Sequence, residues 1–264
     1  MQLSITSLNS GSNGNCYYIG NDREAVLVDA GISCRETESR MKRLGLSMAK
    51  VKAIFVSHEH SDHIRGIAVL AKKYSLPVYI TPITLQSCNL RFENLEFIPF
   101  QAYEPVQIGK LSVTAFPKWH DASDPHSFIV ENEAFKVGVF TDIGLPCEHV
   151  IRQFEQCHAA FLEANYDEDL LARGRYPYHL KNRIKGGKGH LSNRQALALF
   201  ATYKPEFMSH LLLSHLSKDN NCPKLVKALF TTHANETEVI VASRYQETPV
   251  YTLGQVKQKQ LTLW

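Results

Sequence analysis

Residues 53–63 read AIFVSHEHSDH, an apolar run that leads directly into three histidines and two acids. The run predicts a buried strand that ends at His58. Imidazole nitrogens and carboxylate oxygens are the ligands that zinc and other borderline divalent metals prefer. Alternate side chains of a turn can converge on one point. His58 and His60 are therefore expected to hold one metal, with Asp62 and His63 holding a second beside it.

Further apolar runs on both sides of this stretch predict the remaining elements. Strands are expected over Leu3–Leu8, Cys16–Ile19, Ala25–Asp29, Ala53–Ser57, Val78–Ile80, Leu95–Pro99, Pro105–Ile108, Leu111–Pro117, Ser127–Val130, Lys136–Thr141, Ala159–Leu162, His210–Ser214 and Glu238–Ala242. Helices are expected over Glu36–Leu44, Ile64–Tyr74, Val150–Gln156, Leu191–Tyr203 and Pro223–Thr231, with an irregular basic segment at 165–190. This α/β pattern fits two sheets packed face to face with helices outside, and a doubly wound sheet is the alternative.

The composition, 44% hydrophobic and 21% charged over 264 residues, is that of an ordinary globular protein. The first twenty residues have no basic region followed by a long apolar one, so we expect no signal peptide. No apolar run approaches the roughly 20 residues that span a bilayer. The six cysteines include no CxxC pair and predict reduced thiols. A cytoplasmic protein without a membrane partner is expected.

The HEHSDH stretch resembles the HxHxDH signature of the metallo-β-lactamase superfamily. One position before this stretch and three after it resemble that superfamily's other motifs, in the same order. They are Asp29 in LVDAG, His120 in KWHD, Asp142 in FTD and His215 in LSHLS. The resemblance spans nearly the whole chain, and it implies one domain over residues 1–264 with the αββα sandwich fold, two mixed sheets with helices on both outer faces.

Carried over position by position, the resemblance implies a site for two divalent metal ions. One ion would be held by His58, His60, His120 and Asp142, and the other by Asp62, His63, Asp142 and His215. Zinc is expected, although manganese and iron(II) use the same ligand types. Two such ions, about 3.5–4 Å apart, can hold a hydroxide between them as nucleophile and stabilise both oxygens of an in-line displacement.

Within the superfamily, the chain is similar to the bacterial YycJ/WalJ group of exonucleases. The similar segments are SGSNGN at 10–15, EANYD at 163–167, GHLSN at 189–193 and HLSKDNN at 215–221. The group carries His where this chain has Tyr166. This resemblance implies hydrolysis of DNA from a 5′ end. It also implies catalytic roles for Asp62, for His190 as the group that stabilises the transition state or protonates the leaving oxygen, and for Glu163, which would orient His190.

Three features favour a phosphate-containing substrate. Small residues in the loop at 10–15 can turn backbone N–H groups toward an anion. The helix that begins near Ser192 would direct free N–H groups toward a phosphate. The stretch ARGRYPYHLKNRIKGGKGH at 172–190 has six Arg and Lys residues, interleaved tyrosines and no acid, which suits phosphates and bases. The expected substrate contacts are Ser12, Asn15, Arg183, Lys185 and Ser192.

The sequence leaves three functions open. The first is a metal-dependent phosphodiesterase or nuclease, with DNA favoured over RNA. The second is a hydrolase of small esters, thioesters or lactones, because the same metal chemistry serves those substrates. The third is a non-catalytic metal-binding protein. The extended ligand set speaks against the third, since a structural site normally closes its shell with four ligands.

Overall fold

Two mixed β-sheets form the centre of the structure, a computed structural model that describes residues 2–88 and 95–254. Fourteen strands lie in these two ranges. They are β1 (Leu3–Asn9), β2 (Cys16–Gly20), β3 (Ala25–Val28), β4 (Val51–Phe55), β5 (Val78–Tyr79), β6 (Phe97–Ile98), β7 (Pro105–Ile108), β8 (Leu111–Pro117), β9 (His126–Glu131), β10 (Lys136–Phe140), β11 (Ala159–Glu163), β12 (His210–Ser214), β13 (Glu238–Val241) and β14 (Tyr251–Leu253).

The strand orders show that β1 to β6 and the C-terminal β14 build one sheet, and that β7 to β13 build the other. The first sheet runs β14-β1-β2-β3-β4-β5-β6, and the second runs β13-β12-β11-β10-β9-β8-β7. Strands β3 to β6 are parallel in the first sheet, as are β10 to β13 in the second. The other pairs are antiparallel. Two separate sheets exclude the doubly wound alternative.

Helices cover the outer face of each sheet. They are α1 (Cys34–Arg43), α2 (Ser61–Ile64), α3 (Ile67–Tyr74), α4 (Pro82–Ser87), α5 (Glu148–Phe154), α6 (Glu168–Arg173), α7 (Tyr178–Lys185), α8 (Asn193–Tyr203) and α9 (Pro223–Thr231). Helices α1 and α3 bury apolar residues against the first sheet, and α5, α8 and α9 do so against the second. Every helix in the described ranges is too short or too polar to cross a membrane.

The core between the sheets is built from the alternate strand residues that face inward. Tyr17 of the first sheet meets Phe161 of the second, with ring centroids 4.9 Å apart. Phe128 contacts both Phe55 and Phe100, at 5.7 and 5.5 Å between centroids. These contacts join the two sheets into the αββα sandwich that the resemblance implied. Residues 1, 89–94 and 255–264 of the expected domain lie outside the described residues.

The structure corrects two predicted elements. The helix expected over Ile64–Tyr74 begins only at Ile67, as α3, and Ile64 ends the preceding short helix α2. Between them the Gly66 N–H donates to the Ala30 carbonyl, and the Gly66 Cα packs against the backbone there. The segment at 165–190, expected to be irregular, contains α6 and α7. The segment has few apolar residues that face a core, so it lacks the apolar periodicity from which helices are predicted.

Phe128 offers a direct test of the inter-sheet core. Phe128→Ala should lower the free energy of unfolding by about 3–5 kcal/mol, because it leaves a cavity between the sheets. The matched control is Phe207→Ala, whose side chain is 54% exposed and which should cost under about 1 kcal/mol. Urea unfolding of both variants measures the difference, and equal losses would contradict this account of the core.

Candidate metal centre

The ends of parallel strands bring the predicted site residues together. Strands β8 and β10 both run antiparallel to β9, so β8 points in the same direction as β10, β11 and β12. Residues that follow the carboxyl ends of such strands meet at one edge of the sheet. Those residues are His120 after β8, Asp142 after β10, Glu163 at the end of β11 and His215 after β12, and in the first sheet Asp29 after β3 and His58 after β4.

Three of these residues adopt a left-handed backbone conformation within two residues of the end of a strand. The φ angles are 61° at Asp29, 54° at Asp142 and 56° at His215. This conformation is unfavourable for a residue with a side chain, and less so for Asp than for most others. The sharp turn directs each side chain back over the sheet edge. Such strain at several neighbouring positions is a feature of functional sites.

The first group of candidate ligands consists of His58, His60 and His120. His60 Nδ1 lies 3.0 Å from His58 Nε2 and 3.3 Å from His120 Nε2. Nitrogens bound to one tetrahedral zinc at about 2.0–2.1 Å stand roughly 3.3–3.4 Å apart. The three nitrogens therefore have the spacing that one such ion requires.

The second group consists of Asp62, His63, Asp142 and His215. His63 Nε2 lies 3.1 Å from Asp142 Oδ2 and 3.5 Å from Asp62 Oδ2. His215 Nε2 lies 3.4 Å from Asp62 Oδ2. Asp142 Oδ2 is buried, and no donor in the described ranges is aligned to hydrogen-bond it. A buried carboxylate oxygen without a donor fits a bound cation.

Hydrogen bonds to the opposite ring nitrogens fix how these histidines face the centre. His63 Nδ1 donates to Asp29 Oδ2 at 2.7 Å. His58 Nδ1 donates to Ser57 Oγ at 2.9 Å, and that hydroxyl donates to the same oxygen of Asp29. His120 Nδ1 donates to the Gly189 carbonyl at 3.0 Å. Each bond leaves Nε2 with a free lone pair for a metal, which is the usual arrangement of histidine ligands.

Glu163 connects two histidines. Its Oε1 accepts from His190 Nδ1 at 2.8 Å and from His215 Nδ1 at 3.0 Å. Its Oε2 accepts from the backbone N–H groups of Ile143 and Leu191. Burial raises the pKa of Glu163, but the charge and hydrogen bond of His190 outweigh it and lower the pKa to about 2. Sequence reasoning placed Glu163 beside His190 and missed its contact with His215.

The charges of the centre are strongly coupled. Burial lowers the pKa of His63, but Asp142, Asp29 and Asp62 outweigh it and raise the pKa well above its usual value. Burial raises the pKa of Asp142, but the charges on His215 and His63 lower it well below its usual range. The carboxylates thus stay ionised beside cationic rings. A metal would take the place of those ring protons.

Lys118 is a buried charge that the sequence analysis did not identify. Its Nζ donates to the Thr141 carbonyl at 2.6 Å, directly before the strained turn at Asp142. Burial lowers the pKa of Lys118, and Asp142 and Asp29 oppose that change. No local signal points to this role, because the hydrogen-bond partner of Lys118 lies on a different strand connection.

A cleft of about 360 Å³ opens beside the candidate metal ligands. His190, Ser12 and Arg183 line it, and Arg183 Nε donates to Asp121 at 2.5 Å. Tyr176 and the α7 residues Leu180 and Ile184 line its other side. Two of the five predicted substrate contacts, Ser12 and Arg183, therefore lie in the cleft.

The other three predicted substrate contacts lie elsewhere. Asn15 is fully buried, and its Nδ2 donates to Asp62 Oδ2 at 3.1 Å. Lys185 is exposed and lies outside the cleft lining. Ser192 is buried as the N-cap of α8, where it forms a reciprocal capping box with Gln195. The capping box engages the Ser192 and Gln195 N–H groups at the start of α8, and a phosphate contact at Ser192 stays a prediction.

Comparison with known proteins places the chain in a family. A model described as the beta-lactamase superfamily domain matches residues 24–215. The exodeoxyribonuclease YycJ of Bacillus anthracis is 36% identical over 231 residues, covering 86% of this chain and 87% of that protein. The exodeoxyribonuclease WalJ of Streptococcus pneumoniae strain D39 is 31% identical, covering 83% of each.

A solved structure agrees with the fold. The metallo-beta-lactamase fold protein YhfI of Bacillus subtilis superimposes with a TM-score of 0.73 over 96% of this chain and 100% of its own, at 19% identity. The family match and the two relatives together show that this chain belongs to the metallo-β-lactamase superfamily of hydrolases, in the same family as YycJ and WalJ.

Proposed function

We propose that this protein is a DNA exonuclease that hydrolyses phosphodiesters with two bound divalent metal ions, and that these ions are zinc. One observation carries the proposal: two groups of possible ligand atoms lie side by side, and Asp142 is next to both, 3.9 Å from His120 Nε2 and 3.1 Å from His63 Nε2. DNA is favoured because both relatives above are named exodeoxyribonucleases. We further propose that residues 1–264 form one domain, because both sheets supply ligands to the same centre.

When bound, a pair of divalent cations lowers the pKa of a water and stabilises negative charge on the phosphate oxygens. The first ion would be held by His58, His60, His120 and Asp142. The second would be held by Asp62, His63, Asp142 and His215. Asp62 also lines the cleft, and we assign it the orientation of the attacking water.

His190 is the proposed general acid. Its ring is partly exposed to the cleft, and its Nδ1 is held by Glu163. The carboxylate accepts from Nδ1 and fixes the ring, so that the other ring nitrogen can face the leaving oxygen and deliver a proton to it. Because Glu163 also holds His215, it is a positioning residue for both the acid and a metal ligand.

The basic segment beside the cleft supports a polyanionic substrate. Arg173, Arg175 and Lys185 are exposed and Lys181 is partly exposed, on α6, α7 and the turn between them. Arg183 of the same segment reaches the cleft itself. This arrangement allows several phosphates of one strand to be neutralised while another phosphate occupies the centre.

The metal content tests the ligand assignment. The wild-type protein should bind about two divalent ions per chain, and His60→Ala should retain about one, because it removes a ligand of the first group only. Elemental analysis of purified protein measures both. His233→Ala, at an exposed histidine outside the site, is the matched control. Undiminished metal in His60→Ala would contradict the assignment.

Salt dependence tests the substrate class. DNA binding should weaken steeply as salt rises, because each neutralised phosphate releases counterions. Changing Arg173, Arg175, Lys181 and Lys185 together to Gln should flatten that dependence and raise KM for DNA about tenfold or more. Rates on end-labelled DNA, end-labelled RNA and a chromogenic ester measure the change across a salt series.

The control variant replaces four basic side chains at the opposite edge of the sheets. This edge is where β3, β4 and β8 begin, and these strands end at the site. The four residues are Arg23, Lys50, Lys52 and Lys110. Changing them to Gln should leave the salt dependence intact. If the protein hydrolyses the chromogenic ester but neither DNA nor RNA, it is a small-molecule hydrolase. If it hydrolyses RNA faster than DNA, the proposed substrate changes from DNA to RNA.

Kinetics test the role of His190. His190→Ala should lower kcat on DNA by about 10²–10⁴-fold, without loss of metal, and should remove the alkaline limb of the pH–rate profile. Glu163→Gln should lower kcat as well and should weaken metal retention, since it also releases His215. Glu155→Gln, at an exposed acid, is the control. An unchanged pH profile in His190→Ala would exclude it as the acid.

A further inference from the structure

A second pocket adjoins the cleft and is separate from the metal ligands. We call it the side pocket, and it has a volume of about 200 Å³. Its walls include the apolar side chains of Leu216, Pro223, Val241 and Ala242. Leu216 and Ser217 line both the side pocket and the cleft. A ligand that extends from the metal centre can therefore reach the side pocket without crossing the protein.

The outer wall of the side pocket carries an arginine and an exposed tyrosine. The Tyr245 side chain is 71% exposed, which is unusual for a large aromatic ring. Arg244 Nη2 donates to Ser12 Oγ at 3.4 Å, and Ser12 lines the cleft. Arg244 therefore lies between the two pockets.

The Arg244 guanidinium has an unused donor. Its Nη1 is buried and has no hydrogen-bond partner within the described ranges. A buried donor without an acceptor is costly, and arginine suits phosphate oxygens in particular. The guanidinium thus keeps donor capacity that its bond to Ser12 does not use, and a rotation of the group would turn it toward a phosphate between the two pockets.

The wall is held in place before any ligand arrives. The Ser243 carbonyl accepts from the Ser10 N–H at 3.1 Å, and the Arg244 carbonyl accepts from Asn13 Nδ2 at 2.8 Å. The Tyr245 carbonyl accepts from the largely buried Arg40 at 3.2 Å. Three successive carbonyls are thus bound to the loop at 10–15 and to α1. Such a preformed wall binds a ligand at a lower entropic cost than a mobile one.

From this geometry we propose that the side pocket is a nucleotide subsite: it holds the base of the nucleotide next to the scissile phosphate, against Tyr245, while Arg244 contacts the adjoining phosphate. The proposal rests on the proposed nuclease function. Apolar walls and an aromatic face suit a base, because stacking on aromatic side chains contributes to the binding of single strands. A cationic donor at the boundary with the cleft suits the backbone that joins the two positions.

The first test removes one base at a time. Single-stranded DNA substrates carry an abasic site at each of the first three nucleotides from the labelled end. For the wild-type protein, one abasic position should raise KM about tenfold or more, through lost stacking. Tyr245→Ala should show an equally raised KM with the intact substrate, because the stacking partner of the base is gone. Removing the base as well, at the position that is sensitive in the wild-type protein, should raise KM little further. Additive penalties would overturn the subsite.

The second test measures binding directly. Deoxyadenosine 5′-monophosphate is titrated into the full-length protein by calorimetry, and Tyr245→Ala and Arg244→Met should each weaken its binding about tenfold. Arg23→Met, at the far edge of the sheets, is the matched control and should bind as the wild type does. Because Tyr245 is exposed, its variant should fold normally.

The two tests separate the subsite from the proposed function. If intact DNA is cleaved but no abasic position matters and neither variant weakens nucleotide binding, the function stands and the subsite is overturned. If the protein cleaves no DNA, the proposed function fails. The nucleotide titration then decides the subsite by itself, and unchanged binding in both variants overturns it.

Discussion

The site depends on one electrostatic constraint: several carboxylates and imidazoles are buried together and must compensate one another. Asp29, Asp142 and Glu163 are each at most 2% exposed, and His58, His63 and His215 lie among them. Isolated buried carboxylates would be costly. Here each one accepts hydrogen bonds from backbone groups or faces a histidine ring. The same carboxylates that hold the rings also make the centre attractive to cations.

The fold meets this constraint because strands from both sheets end at the same edge. The first sheet supplies Asp29 and the turn at 58–63, while the second supplies His120, Asp142 and His215. Aromatic contacts such as that of Tyr17 with Phe161 lie between the sheets that support these turns. Packing of the sheets and assembly of the centre are therefore coupled, since a shift of one sheet would separate the two sets of candidate ligands.

Periodicity and motif order predicted much of this arrangement, and the reasons for the remaining gaps are physical. Strands such as Leu111–Pro117 and His210–Ser214 were predicted with the correct first and last residues. Their side chains are buried, and the local apolar pattern of the sequence is enough to indicate such burial. Helices α6 and α7 were missed because they lie on the surface and bury little. Lys118 and the double contact of Glu163 depend on neighbours distant in the chain, which spacing alone does not reveal.

The left-handed turns at Asp29, Asp142 and His215 have an evolutionary consequence. Glycine would adopt each of these conformations without the penalty that a side chain incurs. At Asp29, glycine would remove that penalty but would leave His63 Nδ1 and the Ser57 hydroxyl without their acceptor. A lineage released from its chemical task should therefore lose the strained residues and their buried partners together. Their loss in a sequenced descendant would mark a pseudoenzyme that keeps the sandwich but has abandoned hydrolysis.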